Sequence, residues 1–191
     1  GLVLCIDTSL LMERLGPHVF WSVLNALDTA DRRHELSRLR GLAFESYTLD
    51  AFERVFGSRQ WTYLRNPRDQ ANNEELWDAC ATRDSVGIAI ECKGTFVKSA
   101  DKYSGVPARF FRGLARKFGR NKGGGVYQLV RGISRVWLKR DARCPFARPD
   151  RVTDVFPVLV VQDPVLECGP VARVLSDRFQ RAIAQARRGA T

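Results

Sequence analysis

The chain has 191 residues, 45% hydrophobic and 27% charged, which suits one ordinary domain with a buried core and a small appendage. Its 31 basic against 21 acidic side chains leave a net charge of +10, pointing to a polyanionic partner: nucleic acid first, an anionic membrane surface second. No apolar run approaches the roughly 20 residues that a membrane-spanning helix needs.

The opening Leu2-Val3-Leu4-Cys5-Ile6 is too short and lacks the basic leader of a signal peptide. The sequence starts on Gly1, with Met12 its only methionine, and so reads as a piece of a longer protein. A helix is expected through Val19–Leu24, and a second, amphipathic one from Leu36 to Phe56, where Leu36, Leu39, Leu42, Tyr47, Leu49, Phe52 and Phe56 recur at helical spacing. Gly57 is placed to end it. Trp61–Leu64 reads as a short strand before the Asn66-Pro67 break. Next comes a predicted hairpin: Leu76–Ala81, a polar turn over Thr82–Ser85, then Val86–Cys92.

A basic segment from Lys98 to Lys122 is expected to hold one helix, Arg109–Ala115, and is followed by Gly123-Gly124-Gly125 and a helix from Val126 to Leu138. Val155–Val161 is almost continuously apolar, the pattern of a strand buried on both faces. A last helix fits Val171–Arg187. The order implies an α/β sandwich whose central mixed sheet is flanked by helices. We divide it into an N-terminal helical extension, residues 1–35, and a main domain, 36–191.

Five cysteines, Cys5, Cys80, Cys92, Cys144 and Cys168, are scattered without a C-x-x-C pair. That argues against a disulfide framework or zinc ribbon and for reduced, mostly buried thiols in a cytoplasmic setting. With only His18 and His34, a histidine-rich metal site is not expected.

The chemistry concentrates on the strand ending at Lys93. Residues two apart share a face, so Val86, Ile88, Ile90 and Cys92 form a core face. Gly87, Ala89, Glu91 and Lys93 form the other, expected to be an open cleft with two charges at its end. If Arg83-Asp84 is a two-residue turn, Asp78 pairs with Ala89 and lies one diagonal step from Glu91 on that face, while Glu75 falls on the opposite one. Two carboxylates can hold Mg²⁺, which polarises a phosphate and generates a nucleophilic water. A neighbouring lysine can orient that water and offset charge building on the phosphorus.

Asp78 followed at a distance by Glu91-Cys92-Lys93 resembles the PD-(D/E)xK nuclease superfamily, the restriction-endonuclease-like fold. That family's αβββαβ core matches the order read from Leu36 to Val161. Gly41-Leu42-Ala43-Phe44-Glu45 is similar to the first core helix of its Mrr-type and archaeal-resolvase branches, and Gln128-Leu129-Val130-Arg131 to the helix after its E-x-K strand. The naming proline is replaced by Trp77.

The resemblance implies a metal-dependent endonuclease, cutting DNA rather than RNA with Mg²⁺ or Mn²⁺, in a restriction or phage-defence setting. Asp78, Glu91 and the Cys92 main-chain carbonyl would bind metal, Lys93 would position water, and Glu45 and Gln128 would support the site. A homo-oligomer or partner subunit would supply targeting. Lys98 and Lys102, and the stretch containing Arg116, Lys117, Arg120 and Lys122, are the expected phosphate contacts. Two rival readings are a catalytically silent nucleic-acid-binding module of the same fold and a basic protein-assembly module.

Overall fold

The computed structural model describes residues 17–57, 60–119, 123–140, 142–144 and 147–188. Cys5, Met12, and the phosphate contacts expected at Arg120 and Lys122 lie outside the described residues. The chain forms two compact units, one ending at Ala43 and the other running from Phe44. The boundary between these units falls inside a helix.

The first unit contains helix α1 (Pro17–Ala26) and the beginning of α2 (Ala30–Phe56). Within it the Arg40 guanidinium lies 4.3 Å from the centre of the Phe20 ring. Helix α2 starts earlier than its apolar periodicity. Thr29 Oγ1 accepts the Arg32 N–H at 3.3 Å, satisfying one of the amide donors left over at a helix start. The Glu35–Arg38 and Asp28–Arg32 pairs reinforce this polar first part.

The second unit is a mixed α/β fold around a four-stranded sheet in the order β1 (Thr62–Arg65), β2 (Ala79–Arg83), β3 (Val86–Lys93), β4 (Asp154–Val161). The first three strands are antiparallel, and β4 joins β3 in parallel. A parallel neighbour needs a crossover, and the chain between β3 and β4 supplies it. This crossover contains the one-turn helix α3 (Ser99–Lys102), α4 (Pro107–Phe118), α5 (Gly125–Ile133) and a π-helical turn, Ser134–Leu138. Helix α6 (Gly169–Arg188) closes the unit.

Both sheet faces are covered. On one, Ala79, Ile90 and Cys92 pack with Leu49, Phe44, Phe52 and Phe56 of α2. On the other, Cys80 and Ala89 pack with Leu129, Ile133, Val136 and Trp137. The crossover is not one straight helix to Leu138. The π turn, closed by the Lys139 N–H to Ser134 O at 2.7 Å, brings Trp137 against Trp77, with the rings stacked at 4.8 Å. Such single-turn insertions are rare and local.

Two sequence expectations are corrected. The Gly87–Ala89 face is not an open cleft: a Cβ on Gly87 would meet Trp137 at 3.0 Å, and Ala89 is fully buried. Small residues here admit a close helix and its indole. Strand β4 is also not buried on both faces. It is the last strand of the sheet, mostly half-buried, and Phe156 is 55% exposed.

Candidate active site

The hairpin between β2 and β3 sets the geometry. Its two-residue turn is Asp84-Ser85, one residue later than the sequence reading, and Asp84 takes φ +50°. A tight hairpin turn needs such a left-handed residue, and Asp is among the few that tolerate it. Moving the turn by one residue moves each partner by two, so faces are preserved. Ala79 pairs with Ile90, and continuing that register sets Asp78 directly across from Glu91 instead of one diagonal step away.

The main chain fixes this end of the sheet. Asp78 O accepts the Asn66 N–H at 2.8 Å, extending the β1–β2 pairing. Asp78 Oδ2 accepts the Cys92 N–H at 2.6 Å. Lys93 O accepts the Gln162 N–H at 3.3 Å, so residue 93 points its backbone groups at β4 and residue 92 points its own at β2. The Cys92 carbonyl therefore leaves the strand on the side where Asp78 lies.

Asp78 and Glu91 are 6% and 1% exposed, burial rare for carboxylates. Glu91 Oε1 lies 2.7 Å from Lys93 Nζ, whose side chain is 19% exposed. Among the described residues, Glu91 Oε2 accepts no hydrogen bond. Burial and the Asp78 charge push the Glu91 carboxyl up to about 7, with Lys93 only partly opposing. Burial pushes Asp78 up to about 6, against the Cys92 N–H and with the Glu45 charge adding to the rise. Two carboxylates that resist sharing a buried space both charged are short of positive charge.

Glu45, on α2, is half-buried. Its carboxyl is raised by burial and by Glu75, and lowered by Lys93, which places it in the same electrostatic neighbourhood. Gln128 lies on α5, which packs across β3, and its amide oxygen is buried without a hydrogen-bond partner among the described residues. Glu75 is the residue that strand parity misses. It couples to Glu45, Asp78 and Glu91 alike. It lies before β2, in a segment held by the Arg68–Glu75 bridge, where alternation does not apply.

A bound divalent ion fits the donors present: two buried carboxylates opposite one another, an unpartnered oxygen on Glu91 and a carbonyl leaving on the Asp78 side. No group of three or more His, Cys, Asp or Glu side chains able to hold a metal occurs among the described residues. Two carboxylates with a main-chain carbonyl are oxygen donors of the kind hard cations accept.

The basic residues divide. Lys98 is exposed. Lys102 Nζ instead pairs at 2.9 Å with Oδ1 of Asp163, whose side chain is fully buried and whose Oδ2 also accepts the Val97 N–H at 2.7 Å. Lys102 is thus a brace for the segment after β3, not a phosphate contact reaching into solvent. Arg116 pairs with Asp101, and half-buried Lys117 sits near Arg116 and Lys98, so burial and like charge lower its pKa. Cys80, Cys92 and Cys144 are free and buried, and Cys168 is free and exposed. No helix among the described residues is long and apolar enough to cross a membrane.

No family model, no curated protein and no solved structure matches this chain.

Proposed function

We propose that the second unit is a metal-dependent nuclease of the PD-(D/E)xK kind, hydrolysing phosphodiester bonds in DNA in preference to RNA. The observation that carries this reading is the buried pair Asp78 and Glu91, facing each other across the hairpin, with Lys93 beside them and a Glu91 oxygen unused. A surface ion pair, worth little, would not hold its carboxylate at 1% exposure. Desolvating two acids is costly, and the cost is recovered when a cation enters.

Mg²⁺ or Mn²⁺, once bound, supplies Lewis-acid activation of water and of the phosphate. The chain's residues do the rest. Asp78, Glu91 and the Cys92 carbonyl would hold the ion. The Cys92 N–H fixes the Asp78 carboxylate in orientation. Lys93, held beside Glu91 Oε1, would steer water towards phosphorus and balance the negative charge that grows as the leaving oxygen departs. Glu45 and Glu75 add negative potential that favours cation entry. The net charge of +10 accounts for attraction of a polyanion.

The test is cleavage of plasmid and single-stranded DNA with Mg²⁺, compared with EDTA, by the wild type and by Lys93→Ala. Cutting that needs the ion and drops at least a hundredfold in Lys93→Ala supports the reading, because losing one such charge-stabilising group costs about 10²–10³. Equal behaviour of the two proteins sinks it and leaves a silent binding module.

A further inference from the structure

A group of exposed basic side chains in the second unit lies on Lys98 and α4. Asp101 organises it. Its Oδ1 lies 3.2 Å from Arg109 Nε and its Oδ2 lies 2.9 Å from Arg116 Nη2, while Asp101 is only 15% exposed and the two arginines 53% and 54%. One carboxylate therefore holds two guanidiniums in place, with their remaining N–H groups in solvent. Gly113 makes room for this, since a Cβ there would meet Asp101 at 3.1 Å. The Asp101 N–H is bonded to Lys98 O at 2.8 Å, which ties Lys98 to the same cluster. Arg112 is exposed on the same helix, and Lys117 is crowded by Arg116 and Lys98. One aromatic ring lies in the segment between Lys98 and α4: Tyr103, 64% exposed, with Lys102 Nζ 5.8 Å from the ring centre.

We propose that this face binds a single-stranded stretch of nucleic acid, with phosphates on Lys98, Arg112 and the Asp101-braced arginines and a base against Tyr103. The proposal rests on the nuclease reading only for what the bound strand is for.

The chemistry of this face suits a single strand. Exposed rings among cations are how unpaired bases are held, through stacking joined to backbone charge. In a duplex the bases already stack on each other, and the ring would meet only sugar and phosphate. A helix that lies on a membrane turns its apolar side outward, but the apolar residues Leu114 and Phe118 of α4 are buried in the protein's own core. Reach also agrees. Lys98 follows Lys93 by five positions, at most about 18 Å of chain, which a strand of a few nucleotides spans.

The experiment is fluorescence anisotropy on the full chain in EDTA, where no cutting intervenes. The probes are an oligothymidylate of about 20 nucleotides, a duplex of equal length, and vesicles of phosphatidylcholine with phosphatidylserine. The expected result is at least tenfold tighter binding of the single strand than of either alternative. Tyr103→Ala should weaken single-strand binding about 5- to 150-fold with no change on duplex, and Tyr103→Phe, which keeps the ring, should restore it. Arg112→Ala should lower the salt slope by about one. Equal or tighter duplex binding, tighter vesicle binding, or an indifferent Tyr103→Ala overturns the proposal. Binding as expected without any Mg²⁺-dependent cutting overturns the nuclease reading alone. Cutting with no strand preference overturns only the present proposal.

Discussion

Replacing Glu91 by Gln tests whether the site stores electrostatic cost. In the folded protein the Glu91 carboxyl is raised from 4.5 to about 7 by burial and by Asp78. A carboxyl with a raised folded pKa favours the folded state while it is protonated. That advantage is complete below about pH 4.5, the unfolded value, and is lost as pH rises through about 7. A shift of about 2.5 units at ~1.36 kcal/mol each gives an upper figure of about 3 kcal/mol, most of which falls between pH 5 and pH 8.

For a chain of this size one kcal/mol moves Tm by about 2–4 °C. The wild type in EDTA should therefore lose about 5–10 °C more than Glu91→Gln over that range. Any packing cost of the new amide is the same at both pH values and drops out of the comparison. Thermal melts followed by circular dichroism read this directly. Saturating Mg²⁺ should recover stability at pH 8 in the wild type, by about 2.7 kcal/mol at a hundredfold excess over Kd, and not in the variant. Parallel Tm–pH curves for the two proteins would refute the account of a strained carboxylate pair.

Because protons compete with the cation for Asp78 and Glu91, cleavage at limiting Mg²⁺ should rise steeply from pH 5.5 to pH 8, and excess Mn²⁺ should move the rise to lower pH. A pH–rate profile that stays flat at limiting metal contradicts this. Gly132→Ala should destabilise by about 1–3 kcal/mol or more, since a Cβ at Gly132 collides with the buried Trp77 indole; urea denaturation measures it. Lys102→Met should cost about 3–5 kcal/mol by leaving Asp163 buried and unpaired, and the loss should shrink when Asp163→Asn is added. Additive losses in that double-mutant cycle argue against the pair.

The legible parts of this molecule are those set by local alternation and local turn chemistry. The face shared by Asp78 and Glu91 follows from the two-residue period of a strand and a two-residue turn, and it holds although the turn sits one residue along. Helix α2 and the αβββαβ order were legible because their apolar spacing is strong. What escaped depends on partners distant in sequence. The small face of β3 reads equally as a cleft or as a docking surface for Trp137, and only the π turn after α5 decides. The apolar pattern of β4 does not reveal that no strand lies beyond it among the described residues. Lys102 looked like a cation for phosphate because nothing near it in sequence marks Asp163 as its partner. Glu75 joins the site through an irregular segment that carries no periodic signal.

Strand β4 has one more consequence. Residue 162 turns its N–H to β3, so residue 157 turns its backbone outward, and that residue is Pro157. Proline has no N–H to offer. The middle of the outer rim, next to half-exposed Phe156, is thereby deprived of the donor that a second strand would need. Edge strands are where sheets recruit one another into aggregates. Here Pro157 removes one donor from the middle of that rim and breaks the run that a neighbouring strand would pair with.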